Sequence, residues 1–167
     1  MDSKVLDALN AQINKELASG YVYLSMSAHF ENANLPGFAH WMRLQAQEEL
    51  AHAMRLFDYT LRRGGQVILR TVEGPPVDFG TPLEVFRAAL AHEEDVTKSI
   101  HGLYRIAGER SDYATQQVLQ WFIEEQVEEE ENANAAVEAI RMAGDNSAML
   151  LMLDREFGAR EPEDEDE

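Results

Sequence analysis

Four acidic residues occupy positions where the surrounding sequence pattern is apolar. When each long region is followed in steps of three and four residues, the resulting stripes are apolar toward their ends and polar near their middle. A glutamate stands near the middle of each stripe, at Glu16, Glu49, Glu93 and Glu129. Three residues after Glu49 comes His52, and this spacing places a carboxylate and an imidazole on one helix face.

This pattern points to metal chemistry. Buried carboxylates must be paired, protonated or bound to metal, and His52 is the only basic candidate near that depth on the stripes. One imidazolium cannot neutralise four carboxylates, whereas multivalent cations can. Carboxylate oxygens beside an imidazole suit iron or manganese better than a cysteine-dependent zinc site. Because each residue is weak support when taken alone, the prediction depends on all four meeting at one depth.

Long helices must position these residues. The prolines fall only at 36, 75, 76, 82 and 162, and the stretches between them have helical periodicity. We predict a first helix from Ser3, as its N-cap, to about Glu31, and a second from Pro36 to about Gly64. The later helices are predicted to run from Thr81-Pro82 to about Gly108, from Ser111-Asp112 to about Gly144, and over roughly 147–157.

Helices of this length in a small protein usually form a bundle. The predicted loop 66–80 has about 15 residues and reaches roughly 50 Å when extended, which exceeds the length of about 42 Å of a 28-residue helix. The second and third helices can therefore be parallel. The predicted fold is an all-α four-helix bundle with one long crossover and a short fifth helix. We assign residues 1–158 to this domain and residues 159–167 to an acidic, disordered tail.

This topology brings the four glutamates to one level. At a rise of about 1.5 Å per residue, they lie within roughly one turn of one another and about 18–24 Å from a shared end of the bundle. Gln126 stands at the corresponding depth of the fourth helix, three residues before Glu129. We therefore expect the acidic side chains to form one layer of the bundle interior.

Composition narrows the classes of function. The chain has 167 residues and a net charge of −17, and its last residues, 161–167, are strongly acidic. Such a field repels nucleic acid and anionic membrane and attracts cations. The absence of cysteine excludes disulfides, Cys-ligated zinc or iron–sulfur centres and thiolate nucleophiles. No segment approaches the roughly 20 apolar residues of a membrane span, and the N-terminus has no signal-peptide pattern, so we expect a cytoplasmic protein.

Two motifs resemble those of the prokaryotic non-haem ferritins. They are Gln47-Glu48-Glu49-x-x-His52 in the second helix and Gln120-Trp121-Phe122-x-Glu124-Glu125-Gln126-x-Glu128-Glu129-Glu130 in the fourth. Together with Glu16 and the pair His92-Glu93, they extend the resemblance over roughly residues 4–157. The resemblance implies a ferritin-like bundle that oxidises Fe(II) and assembles into a 24-subunit shell (24-mer), in which iron is stored as a ferric mineral.

The resemblance also implies individual roles in a ferroxidase centre. The implied ligands of the first iron are Glu16, Glu49 and His52, and those of the second are Glu49 as a bridge, Glu93 and Glu129, with Gln126 nearby. An implied third iron site consists of Glu48, Glu125, Glu128 and Glu129. Tyr23 matches the aromatic residue beside the centre, where it either packs or takes part in redox chemistry. Dioxygen or hydrogen peroxide is the implied oxidant.

Two departures from related patterns matter. Bacterioferritins have a haem-binding methionine next to the bridging glutamate, and Leu50 stands there in this chain, so no haem is expected. The general di-iron pattern has Glu-x-x-His on two helices, whereas the fourth helix here offers Gln126-x-x-Glu129. The second iron would then lack an imidazole, and such asymmetric ligation favours iron that passes through over a permanent cofactor.

Three other functions stay open at this point. The first is a di-iron or di-manganese oxidoreductase, including a peroxide-scavenging protein without bulk storage, although rubrerythrin-like versions need cysteine. The second is a DNA-protecting miniature ferritin, which binds iron between subunits; the complete ligand set within one bundle and the acidic charge argue against it. The third is a non-catalytic interaction module with solvated inner carboxylates.

Overall fold

A computed structural model describes residues 1–162, and within that range the chain forms five α-helices and no strand. The helices are α1 (Ser3–Asn32), α2 (Pro36–Arg62), α3 (Pro82–Glu109), α4 (Tyr113–Ala143) and α5 (Ser147–Phe157). The predicted all-α fold, with four long helices and a short fifth, is confirmed. No helix of the described chain has both the length and the apolar content that crossing a bilayer requires.

The helix starts follow from their capping residues. At α3, the Thr81 hydroxyl accepts a hydrogen bond from the Glu84 amide, and the Glu84 carboxylate accepts one from the Thr81 amide at 2.7 Å, which is a complete capping box. At α1 the prediction of Ser3 as the N-cap is wrong. Asp2 caps this helix by accepting from the Lys4 amide at 2.9 Å, because its carboxylate also complements the positive end of the helix dipole.

The segment between α2 and α3 runs beside α1 and in the same direction. Near the start of α1, the Asn10 side chain donates to the Gln66 carbonyl at 3.0 Å and accepts from the Ile68 amide at 2.7 Å. Near its end, the Ser25 hydroxyl donates to the Pro76 carbonyl at 2.5 Å. Because this segment advances along most of α1, α3 begins at the same end of the bundle as α2. The predicted crossover and the parallel arrangement of α2 and α3 are confirmed.

Two apolar clusters fill the ends of the bundle. One lies where α1 and α4 end and α2 and α3 begin, and its rings Phe30, Phe38 and Phe86 have centroids 5.3 to 5.7 Å apart. The other lies at the opposite end and includes Leu9 and Phe122. Burial of each such side chain contributes about 1.5–3 kcal/mol. The polar middle of the bundle lies between these clusters.

Helix α5 closes the first cluster against the start of α2. The rings of Phe157 and Phe38 lie 5.1 Å apart, and the Asp154 carboxylate accepts from the Phe38 amide at 2.9 Å. Asp154 thus satisfies an amide at the N-terminus of α2, where Leu35, the N-cap, has no side-chain acceptor. Glycine is required at Gly37, because a Cβ atom there would lie 1.5 Å from the Asp154 carbonyl oxygen.

After α5 the chain returns onto α2. The carbonyl of Arg160 accepts from His40 Nε2 at 3.0 Å, and its guanidinium lies 5.2 Å from the centroid of the Trp41 ring. The packed chain therefore extends to residue 160, beyond the predicted domain boundary at residue 158. The greater part of the predicted acidic tail, residues 163–167, lies outside the described residues.

Candidate metal centre

Each long helix contributes one buried glutamate to the layer between the two apolar clusters. The four residues are Glu16, Glu49, Glu93 and Glu129, whose exposed fractions are 1%, 2%, 1% and 7%. Glu49 is a neighbour of both Glu16 and Glu93. The structure thus brings together the four carboxylates that the helical spacing placed at one depth.

Burial raises the pKa of each of these carboxyl groups. The pKa of Glu16 rises from 4.5 to about 7, that of Glu93 is raised, and those of Glu49 and Glu129 lie well above the usual value. Removal from water is the largest cause at all four, and repulsion from neighbouring carboxylates adds to it. The layer therefore favours either protons or a bound cation.

Two oxygens in this layer have no hydrogen-bond donor among residues 1–162. They are Glu16 Oε2 and Glu49 Oε2, and both are fully buried. A buried acceptor left without a donor costs about 1–3 kcal/mol, and more when it is charged. Because the two carboxylates contact each other, a shared proton or a cation between them would satisfy both. An oxygen-rich donor set of this kind fits a hard metal ion.

Neutral amides hold other carboxylate oxygens in place. Gln12 Nε2 donates to Glu16 Oε1 at 2.8 Å, and Gln45 Nε2 donates to Glu129 Oε2 at 2.6 Å. The first pair lies within one helix turn of α1, whereas the second joins α2 to α4. These amides orient the carboxylates without neutralising their charge, so the layer keeps its affinity for cations.

Glu93 is held by two donors from other helices. The Tyr23 hydroxyl of α1 donates to Glu93 Oε1, and Gln126 Nε2 of α4 donates to Glu93 Oε2 at 3.2 Å. Burial and the surrounding carboxylates raise the pKa of Tyr23 well above its usual value, so the phenol keeps its proton and remains a donor. Tyr23 and Gln126 therefore lie beside the carboxylates, where the sequence placed them.

His52 is buried next to Glu49, and its Nδ1 lies 3.8 Å from Glu49 Oε2. Burial, followed by the charge of Arg55, lowers the pKa of His52 to about 4. The imidazole is therefore neutral near pH 7 and can serve as a nitrogen ligand. The rings of Trp121 and Phe122 stand nearly perpendicular to it, at 5.4 and 5.9 Å, and restrict its orientation.

His92 also belongs to this layer, although the sequence analysis assigned it no role. Among residues 1–162, Glu49, His92 and Glu93 are the only group of three acidic or histidine side chains whose ligand atoms all lie within 4.8 Å of one another. His92 Nε2 is hydrogen-bonded to Ser19 Oγ at 2.7 Å, and its ring stands edge-on to Tyr23. Adjacent helix positions diverge by about 100°, so the spacing that selected Glu93 passed over His92.

Comparison with known proteins agrees with this geometry. The ferritin-like domain family matches residues 6–143 of the chain. The chain belongs to the ferritin family. Its sequence is 42% identical over 160 residues to the bacterial non-heme ferritin of Bacteroides fragilis. The aligned region covers 96% of this chain and 99% of that protein. The bacterial non-heme ferritin of Staphylococcus aureus is 36% identical over 160 residues and covers 96% of both chains.

Solved ferritin structures have the same fold. A novel open pore ferritin from the hyperthermophilic archaeon Archaeoglobus fulgidus has a TM-score of 0.95 and 46% identity to this ferritin, covering 96% of this chain and 99% of that one. An engineered closed form of the Archaeoglobus fulgidus ferritin has a TM-score of 0.95 and 47% identity, covering 96% and 98%.

The outer carboxylates of this ferritin are arranged differently from the inner ones. Glu48 and Glu129 are buried, Glu125 is half-buried and Glu128 is exposed. Within the described chain, the ligand atoms of these four residues do not all lie within 4.8 Å of one another. The same is true of the ligand atoms of Glu16, Glu49 and His52. The inner residues nevertheless share one buried layer, whereas the outer residues extend from that layer to the surface.

Proposed function

We propose that this protein stores iron and oxidises Fe(II) to Fe(III) at a pair of sites inside each bundle. The proposal depends chiefly on one observation, the buried layer of four carboxylates in which Glu16 Oε2 and Glu49 Oε2 lack a donor among the described residues. Membership of the ferritin family and similarity to bacterial non-heme ferritins support the choice of iron. We further propose a cytoplasmic location.

In the proposed centre, Glu49 would bridge two Fe(II) ions, because it is a neighbour of both Glu16 and Glu93. Glu16 and the neutral imidazole of His52 would complete the first site. Glu93 and Glu129 would complete the second. The predicted ligand set of this second site has no imidazole, and the structure brings His92 close to its ligands Glu49 and Glu93.

Fe(II) is the substrate of the proposed reaction. Two bound ions give one electron each to dioxygen, which takes up two protons and leaves as hydrogen peroxide. Hydrogen peroxide can accept two electrons and two protons in the same way and leave as two waters. Hard carboxylate ligands favour Fe(III) over Fe(II) and so assist the oxidation. Hydrolysis of the released Fe(III) then forms the mineral and liberates protons.

The neighbours of Glu93 have proposed roles that do not require them to bind iron. Tyr23 and Gln126 both donate to this carboxylate, so they would orient it toward the second ion. We propose Tyr23 as a positioning residue. The rate of Fe(II) oxidation in Tyr23→Phe tests whether it also has a redox role. A third iron at Glu48, Glu125, Glu128 and Glu129 also forms part of the proposal, as the resemblance implies.

Storage requires an enclosed volume, and an exposed apolar strip offers a contact surface for a second copy. It consists of Tyr21 and Leu24 of α1, Leu50 of α2, and Leu69 of the crossover, which line one surface hollow and are 49% to 61% exposed. A contiguous apolar surface of this kind marks an interaction site. We propose that it forms a two-fold contact within a 24-subunit shell, without haem because Leu50 stands beside the bridging glutamate.

Anaerobic Fe(II) titration followed by admission of oxygen tests the proposed function. We expect the wild-type protein and Glu94→Gln to bind two Fe(II) ions per chain and oxidise them rapidly, and we expect Glu93→Gln to lose one ion and the fast oxidation. Glu94 is the matched control because it is the exposed neighbour of Glu93. Light scattering on the same samples measures the assembly.

Two outcomes would exclude parts of this proposal. A monomer or dimer that takes up only two irons per chain would exclude storage. Oxidation of Fe(II) no faster than in buffer would exclude the ferroxidase reaction, and a larger oligomer that still accumulates iron would then leave storage alone.

A further inference from the structure

The side chain of Arg160 carries a positive charge to the edge of the carboxylate layer. Its Nη2 lies 3.2 Å from both oxygens of Glu48, and its Nη1 donates to Gln45 Oε1. Gln45 in turn donates to Glu129 Oε2 at 2.6 Å. A continuous line of hydrogen bonds therefore joins the segment after α5 to a carboxylate of the candidate metal centre.

Further contacts dock this segment on one face of α2. The guanidinium lies 5.2 Å from the Trp41 ring centroid, and the Arg160 carbonyl accepts from His40 at 3.0 Å. Trp41, Gln45 and Glu48 are spaced four and three residues apart, so they share that face. The Arg160 and Glu48 side chains are only 16% and 9% exposed, which reduces the screening of their ion pair by water.

We propose that the Arg160 guanidinium occupies a cation position at Glu48, so that the C-terminal segment and metal ions compete for the outer carboxylates. A guanidinium bonded to both oxygens of a partly buried carboxylate compensates its charge and occupies an acceptor site on each oxygen. A divalent ion at the same carboxylate would meet a positive charge a few ångströms away. Metal binding at Glu48 therefore requires Arg160 to leave.

The competition also reaches the second iron site of the proposed function. Because Arg160 bonds to the oxygen of the Gln45 amide, the amide nitrogen faces Glu129 and takes one of its oxygens. When Arg160 leaves, Gln45 is free to turn and release that oxygen to a metal ion. Linkage requires the converse effect, that metal bound to the outer carboxylates weakens docking of residues 158–160. The inference rests on the proposed function only for the identity of the natural ion.

Calorimetric titration of the full-length, metal-free protein with Zn²⁺, a redox-inactive probe, tests this inference. We expect Arg160→Gln to tighten the weaker class of Zn²⁺ sites by about tenfold, within the usual range for coupled sites. Arg155→Gln, which removes an exposed arginine of α5, should leave that class unchanged. Glu48→Gln should abolish the difference between wild-type and Arg160→Gln proteins, and Arg160→Lys should fall between them.

Equal Zn²⁺ affinity of the weaker class in the wild-type and Arg160→Gln proteins would overturn the inference. A purely structural role of Arg160 would lower the melting temperature without changing that affinity. If Arg160→Gln fails to fold, amide hydrogen exchange of residues 158–160 in the wild-type protein tests the same inference. We expect saturating Zn²⁺ to increase the exchange rate of these residues, and an unchanged rate would overturn the inference. If the tighter class dependent on Glu49 is absent while Arg160→Gln still gains Zn²⁺ affinity, the proposed function fails and the inference stands.

Discussion

The ends of the bundle and its middle are built from the same four helices but have opposite energetics. At one end, the rings of Phe30, Phe38 and Phe86 pack within 5.3 to 5.7 Å of one another and stabilise the fold. In the middle, burial raises the pKa of carboxyl groups such as Glu16 and Glu49, which shows that the interior disfavours their charge. Stability and chemistry are therefore separated along the helix axis.

Helix length makes this separation possible. A helix of 30 residues, as in α1, is about 45 Å long and presents several turns to the core. Two or three turns at each end are enough to bury an apolar cluster, and the middle turns are left for polar ligands. A domain with helices of average length would have to place the same carboxylates among its only core residues.

The largest effect on stability is expected at the apolar end. Phe86→Ala should lower the free energy of unfolding by about 3–5 kcal/mol, because it removes a ring that contacts Phe30, Phe38 and Trp41. The melting temperature of the metal-free protein should fall by about 6–20 °C. Arg87→Ala, at the exposed neighbouring position, is the control and should change it little. A loss below 1 kcal/mol for Phe86→Ala would contradict the assignment of stability to this cluster.

The middle layer should respond in the opposite way. Glu49→Gln removes the proposed bridge and should slow Fe(II) oxidation by more than the roughly 10- to 100-fold that loss of an outer-shell partner causes. The same change should raise the melting temperature of the metal-free protein, since it replaces a carboxyl group whose charge is disfavoured by burial and whose Oε2 has no donor among the described residues. Stopped-flow oxidation and thermal denaturation measure the two effects, with exposed Glu131→Gln as control. Wild-type oxidation in Glu49→Gln would show that Glu49 is not the bridge.

The contribution of the middle layer to stability should also depend on pH. The pKa of Glu16 rises from 4.5 to about 7 on folding, so its contribution to stability is complete below pH 4.5 and is lost as the pH rises toward 7. The stability of the metal-free protein should therefore fall with a slope of up to about 1.4 kcal/mol per pH unit from this group. Thermal denaturation across this range should show a shallower decline for Glu16→Gln.

His52 contributes with the opposite sign. Its pKa falls from 6.5 to about 4 on folding, so its contribution is present above pH 6.5 and is lost as the pH falls toward 4. The comparison of wild-type and Glu16→Gln proteins cancels this contribution and leaves that of the Glu16 carboxyl together with its effect on the pKa of Glu49. Identical pH slopes in the two proteins would contradict the assignment. Saturation with Zn²⁺ should reverse the slope, because the ion replaces protons in the layer.

The smallest effect is expected from Tyr23→Phe, which removes one donor to Glu93 and leaves the ring in place. The loss of one hydrogen bond should cost about 0.5–1.5 kcal/mol, which corresponds to a roughly 2- to 13-fold decrease in the rate of Fe(II) oxidation. Single-turnover oxidation of Fe(II) measures it. A decrease beyond 100-fold with an unchanged number of bound Fe(II) ions would instead assign the phenol a direct part in electron transfer.

Much of the fold followed from local pattern. The capping residues and prolines predicted the start of α2 and α3, and the length of the loop predicted the crossover. The first turn of α1 was less well predicted, because Asp2 rather than Ser3 is the N-cap. This difference arises where a helix end is free to begin one residue earlier or later.

Sequence by itself determined that four glutamates would share one depth, because a helix has a constant rise per residue and the connections set which ends coincide. Only the tertiary structure decided which groups surround them. Gln45 reaches Glu129 on another helix, His92 joins the layer from a position outside the apolar stripe, and Arg160 returns from beyond α5. Such contacts depend on how each helix is rotated and where the chain folds back, and no spacing within a single helix encodes either.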